Sequence, residues 1–197
     1  MRALTGYQAI IVDMDGTLYY QKPVRLYMLK EMLFEFWRFP EFIIVQKYRK
    51  LYEIGMDEKD RLCRLPKGAH AIIREWMTER PLPYIYQFRD QKLIDILNQV
   101  HTLGTKVIVY SDYPLTEKLK ALKFNPDMAF SAQETECLKP DPSGLTRILL
   151  CLGIAPEKCL VIGDRLDKDG EMAKRMGSDY LVLPKENREA IYSSMTG

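Results

Sequence analysis

Residues 9–17 read Ala9-Ile10-Ile11-Val12-Asp13-Met14-Asp15-Gly16-Thr17, an apolar run that stops on a carboxylate. A run this short, apolar at every position and not at alternate ones, fits a strand covered on both faces in a parallel sheet. Parallel sheets present ligands and catalytic groups at the carboxyl ends of their strands, so Asp13 stands where a charge has a chemical use. Side chains alternate along extended backbone, which points Asp13 and Asp15 one way and Met14 the other. Gly16 permits the sharp turn that must follow. Taken alone, the stretch also fits ordinary turn chemistry, because Asp and Gly are good turn formers.

Further along, the same pattern recurs in Lys106-Val107-Ile108-Val109-Tyr110, Cys159-Leu160-Val161-Ile162 and Tyr180-Leu181-Val182-Leu183, with Met128-Ala129-Phe130 as a weaker candidate. Between them lie helical periods. Leu93, Ile94, Leu97 and Val100 share a face ahead of Gly104, and Leu145, Ile148, Leu149 and Leu152 do the same. The second of these helices has Asp141 to cap it, Pro142 in its first turn and Gly153 beyond its end. Strands alternating with helices predict an α/β fold: a Rossmann-like parallel sheet of about five strands flanked by helices.

Tyr19 to about Arg89 breaks that alternation. It reads as helices over about Pro23–Phe39, Glu41–Ile54, Asp57–Cys63 and Lys67–Glu79, ending at Arg80-Pro81-Leu82-Pro83, a hinge or linker by its prolines. The expected organisation is an α/β core from 1–18 and 90–197 with an all-helical cap at 19–89. From Gln21 to Asp90 there are fourteen Lys and Arg against ten Asp and Glu, so the insertion is mildly basic. That charge either favours an anionic substrate or is a solvated helical surface. Phe34, Phe36, Trp37, Phe39 and Phe42 are read as core or cap packing before a base-stacking platform, with a pocket wall or dimer contact as alternatives.

Composition excludes several classes. The 197 residues carry a net charge of +2, too little to support a nucleic-acid-binding face. Leu26–Val45 is interrupted by charges and Pro40, so it is not expected to span a bilayer, and no membrane partner is expected. Cys63, Cys137, Cys151 and Cys159 show no Cys-x-x-Cys spacing and are read as free thiols of a reducing cytosol. The N-terminus shows no export signal, and the expected location is cytoplasmic. His70 and His101 have no ligand-spaced partner and are read as structural.

Chemistry gathers at the strand ends. Ser111-Asp112 follows the second long strand, Lys139-Pro140-Asp141-Pro142 the third, and Gly163-Asp164-Arg165-Leu166-Asp167-Lys168-Asp169 the fourth, all predicted at one sheet edge. With Asp13-Met14-Asp15-Gly16-Thr17, this ordered set resembles the haloacid dehalogenase superfamily of aspartate-nucleophile hydrolases. The resemblance spans the core and leaves the helical insertion as the family's cap.

The resemblance implies a Mg2+-dependent phosphatase acting on a small phosphomonoester. Asp13 is then the nucleophile and Asp15 the general acid and base. Its members that cleave carbon–halogen or phosphonate bonds lack the second aspartate, so Asp15 turns the expectation toward phosphate esters. Gly16, Thr17, Ser111 and Lys139 face the phosphate, with Lys139 adding charge to its oxygens. Asp112 joins that group by position, with no chemistry of its own assigned. The implied metal set is Asp13, the Asp15 carbonyl and Asp164, with Asp169 acting on a metal-bound water. Asp167 competes with Asp169 for the last role, but is better suited to cap the following helix. A phosphomutase or phosphotransferase using the same aspartyl phosphate, or a non-catalytic regulator phosphorylated on Asp13, is the alternative. The expected partner is a small phosphorylated metabolite, and the expected state a monomer or homodimer.

Overall fold

The computed structural model describes residues 4–54 and 58–196. They fall into two units, one of residues 1–20 and 89–197 and one of residues 21–88.

In the first unit, five apolar runs form one sheet: β1 (Ala9–Val12), β2 (Lys106–Ser111), β3 (Met128–Ser131), β4 (Cys159–Gly163) and β5 (Asp179–Val182). Their order is β3-β2-β1-β4-β5 and every pairing is parallel, the architecture expected from the strand–helix alternation. The strand at the centre, β1, is buried at all four positions, which explains why its sequence does not alternate. Ala9 and Ile11 pack on one face with Ile108, Tyr110 and Val161, against Leu145, Ile148 and Leu149. These last three come from the helix Pro142–Leu152, which starts on an Asp141 side chain accepting from the Ser143 N–H and stops at Gly153. The helix Gln91–Thr102 buries Leu93, Ile94, Leu97 and Val100 and is capped by Asp90, whose carboxylate accepts the Leu93 N–H.

The second unit is helical: Gln21–Phe34, Phe39–Glu53, Glu58–Cys63, Ala69–Arg74, a π-helical turn at Glu75–Glu79, and Leu82–Gln87. The expected start of the third helix, Asp57, lies outside the described residues. Arg80-Pro81-Leu82-Pro83 is not a linker. The prolines open the helix Leu82–Gln87, where a missing N–H costs nothing and the fixed φ is already helical. A small core of Met32, Val45 and Trp76 is packed by Met28, Phe42, Ile72 and Met77. Beside it Arg38 and Arg80 share Glu35 and Glu75 in a charged lattice, and the Arg80 guanidinium stacks 4.3 Å from the Trp76 ring centroid. The aromatic cluster is not core as expected. Phe42 packs inward, but Phe34, Phe36, Trp37 and Phe39 are exposed around the turn between the first two helices.

Candidate active site

Parallel strands in register place their carboxyl ends side by side. Val12 stands opposite Val109 on one side and Ile162 on the other, so the residues just beyond β1, β2 and β4 share one edge. The Asp13 N–H donates to the Ile162 carbonyl at 2.8 Å and continues the ladder by one residue. Two glycines then let the acidic side chains close in. Gly16 has φ +96°, and a Cβ there would stand 2.3 Å from Asp164 Oδ2. A Cβ on Gly163 would stand 2.2 Å from Asp169 Cγ. Neither position accepts a larger residue without displacing a carboxylate.

Lys139 is the centre of this edge. Its ammonium donates to Asp13 Oδ1 and Asp169 Oδ1, each at 2.7 Å. Burial alone would lower its pKa, but Asp13, Asp169 and Asp112 outweigh that effect and hold it charged. The Lys139 Nζ also lies 5.1 Å from the centroid of the Tyr110 ring, whose hydroxyl donates to the Cys137 carbonyl. Thr17 Oγ1 donates to the other oxygen of Asp13 at 3.0 Å. Both oxygens of Asp13 are therefore oriented before any ligand arrives.

Asp13, Asp164 and Asp169 each bring a carboxylate oxygen within 4.8 Å of the others. Burial pushes the Asp13 carboxyl up to about 7, against the pull of Lys139 and with further rise from Asp169 and Asp15. Burial, followed by Asp169, raises Asp164 as well. Three converging carboxylates against one ammonium form an all-oxygen donor set short of positive charge, which fits a hard divalent cation such as Mg2+.

Asp15 is held apart from that set. Its Oδ1 accepts from the Lys118 ammonium at 2.6 Å and from the Tyr19 hydroxyl. Lys118 comes from the helix Thr116–Leu122 and is buried. Neither partner stands out in the sequence, where Lys118 is one of two lysines on a short helix.

Ser111 is buried at the end of β2, its Oγ accepting from the Tyr113 N–H at 3.1 Å. Asp112 accepts the Lys139 backbone N–H at 2.9 Å on one oxygen and the Lys168 ammonium at 2.6 Å on the other. It ties the turn at Lys139 to the segment Leu166–Gly170. Asp167 does not cap the following helix. The segment Leu166–Gly170 is a π-helical turn with no side-chain cap, and the exposed Asp167 carboxylate pairs with Arg165. The same turn carries Asp169 inward, to Lys139 and the acidic cluster.

Sequence reading also missed a buried brace beneath the loop. Arg188 donates to the carbonyls of Gly16 and Thr17 at 2.5 and 2.9 Å and to Asp90 at 2.9 Å. Tyr192 adds a hydroxyl to the same Asp90 oxygen. A separate groove of about 660 Å³ runs by Leu119, Phe124 and Met128 and includes none of the acidic or lysine residues of the site.

Residues 7–177 match the family model of haloacid dehalogenase-like hydrolases. No curated protein matches the sequence. Among solved structures, the HAD-hydrolase YfnB of Bacillus subtilis, bound to magnesium, superposes with a TM-score of 0.72 at 16% identity, over 97% of this chain and 99% of that one. CbbY of Rhodobacter sphaeroides, in complex with xylulose-(1,5)bisphosphate, gives 0.60 at 18% identity over 90% and 86% of the two chains. A 2-haloacid dehalogenase of Pseudomonas syringae pv. Tomato gives 0.60 at 16% identity over the same shares. At these identities the structures attest a shared fold, while the family model spans most of the sequence, including the Asp13 loop, Lys139 and Asp164: the chain belongs to the haloacid dehalogenase-like hydrolases.

Proposed function

We propose that this hydrolase is a phosphatase that cleaves a small phosphomonoester through an aspartyl phosphate on Asp13. The observation that carries the reading is the Asp13 carboxylate held between Lys139 and Thr17, with a second carboxylate, Asp15, two residues on. In the first step an Asp13 oxygen attacks phosphorus and the ester P–O bond breaks. Asp15, protonated at that moment, gives its proton to the leaving oxygen. In the second step water attacks the phosphorus, passes its proton to Asp15, and the bond to Asp13 breaks to release phosphate. Lys139 balances the charge of the phosphoryl oxygens, and Asp112 positions it through its backbone N–H.

Asp13, Asp164 and the Asp15 carbonyl would hold Mg2+, with Asp169 orienting a bound water. When bound, the ion supplies charge neutralisation at the transferring phosphoryl group. The helical unit is the proposed cap, inserted directly after the nucleophile loop. CbbY's sugar bisphosphate supports a small phosphorylated metabolite as the substrate class.

The test is release of inorganic phosphate from p-nitrophenyl phosphate with and without Mg2+. Turnover is expected to need the ion, to stop on chelation, and to vanish in Asp13→Asn. Full turnover by that variant, with deamidation excluded, overturns the nucleophile assignment; halide release from a 2-haloacid in place of phosphate release overturns the phosphatase reading.

A further inference from the structure

The hairpin formed by the helices Gln21–Phe34 and Phe39–Glu53 turns an apolar side outward. Leu29 and Leu33 lie one turn apart on the first helix and lead to Phe34, Phe36, Trp37 and Phe39 at the turn. All six are exposed, Phe34 at 82% and Trp37 at 64%. A contiguous face of this kind on a folded protein marks a contact surface.

Charge around this face is one-sided. From Lys22 to Lys50 the exposed charged side chains are Lys22, Arg25, Lys30, Lys47 and Lys50, and none is acidic. The three glutamates of the stretch are drawn to the other side. Glu31 accepts from the Tyr84 hydroxyl at 2.5 Å, Glu35 from Arg80 at 2.7 Å, and Glu41 from Trp76 Nε1 at 2.6 Å. At the far end of the second helix Lys50 stands one turn from the exposed Glu53, and Lys47 donates to the Arg64 carbonyl, so the basic charge beside Leu29 and Leu33 is that of Lys22, Arg25 and Lys30 on the first helix. The glutamates are thus engaged by Tyr84, Arg80 and Trp76 from elsewhere in the unit, and the exposed charge of the first helix is basic.

We propose that this hairpin docks on the surface of an anionic phospholipid bilayer. Aromatic rings and leucines enter the headgroup boundary, where Trp and Phe are favoured, and the basic rim meets lipid phosphates. No helix among the described residues is long and apolar enough to cross a membrane, so the hairpin lies on the bilayer and does not pass through it. A second copy of the chain is the poorer occupant. A two-fold contact sets the same face against itself and brings the basic residues together with no exposed acid to answer them.

Tryptophan makes the test direct. Trp37 is exposed and Trp76, the only other tryptophan, is 5% exposed and serves as a constant background. The full chain is mixed with vesicles of phosphatidylcholine alone or with phosphatidylglycerol. Flotation with the anionic vesicles and a blue shift of tryptophan emission are expected, both reversed by added salt. Trp37→Phe removes the shift, and Phe34→Ser combined with Phe36→Ser lowers vesicle binding by roughly 10-fold or more while aryl phosphatase activity in solution is retained. Absence of flotation on anionic vesicles at low salt overturns the proposal. Equal binding to both vesicle types, or a concentration-dependent dimer that shields Trp37 without lipid, does so equally.

Discussion

Lys118 Nζ stands 2.6 Å from Asp15 Oδ1 across 103 residues of chain. The carboxylate proposed to exchange protons with the leaving group and water is thus aimed by a buried cation from the helix Thr116–Leu122, with Tyr19 as its second support. Lys118→Met keeps most of the side-chain volume and removes the charge. It is expected to lower kcat for p-nitrophenyl phosphate by about 10-fold or more, the scale on which positioned proton transfer contributes. A double-mutant cycle with Asp15→Asn, followed by unfolding, is expected to give a coupling of about 1–3 kcal/mol. Additive effects on both activity and stability would separate the two residues.

How much of this was legible before the structure depends on how local each signal is. The run Ile10-Ile11-Val12 ahead of Asp13 declares a buried strand within a few residues, and Asp141, Pro142 and Gly153 declare a helix in the same way. Lys118 carries no such signal: it shares its helix with Lys120, which is exposed and paired with Glu117, and only the tertiary fold distinguishes them. Arg188 and Asp90 meet across 98 residues. The apolar residues of Gln21–Phe34 are spread around the helix with no dominant face, so the sequence does not say which of them will be covered. The prolines at 81 and 83 read as a hinge or linker for a related reason, since proline suits both a break and the first turn of a helix.

Gly16 tests whether close approach or backbone conformation matters more to the site. Alanine at φ +96° is strained by about 1–2 kcal/mol, and its Cβ would also push against Asp164. Gly153, at φ +65° with nothing within 4 Å of a Cβ, is the control for conformation alone. Gly153→Ala is expected to lose some stability with activity intact. Gly16→Ala is expected to lose stability and also to demand far more Mg2+ for turnover, measured by titrating the metal. Equal Mg2+ requirements in the two variants would remove the contact with Asp164 from the argument.

Arg188 anchors the nucleophile loop from below, through the carbonyls of Gly16 and Thr17, and its pair with Asp90 is almost fully buried. Removing one member of such a pair strands the other charge, at a cost of about 3–5 kcal/mol. Arg188→Met is therefore expected to lower the unfolding free energy by that amount in a urea titration and to reduce activity, since the loop carbonyls lose their donors. The double variant Arg188→Met with Asp90→Leu is expected to recover part of the stability but not the activity. Recovery of both would reduce Arg188 to a partner for Asp90.

Acid should act on the helical unit through Glu75. Arg38 chiefly, against a smaller opposing effect of burial and with help from Arg80, lowers its pKa from 4.5 to about 2. A carboxylate whose pKa is depressed by folding contributes stability that is fully present above its unfolded value and is lost as pH falls through the folded one. The window is therefore pH 4.5 down to about 2. Glu75→Gln abolishes this contribution at every pH, so the variant should be less stable than the parent at neutral pH, with the difference shrinking across that window. Denaturant melts of both proteins at stepped pH measure it directly. A stability difference that stays constant down to pH 2 would mean that Glu75 acts through packing and hydrogen bonding, with its charge contributing nothing.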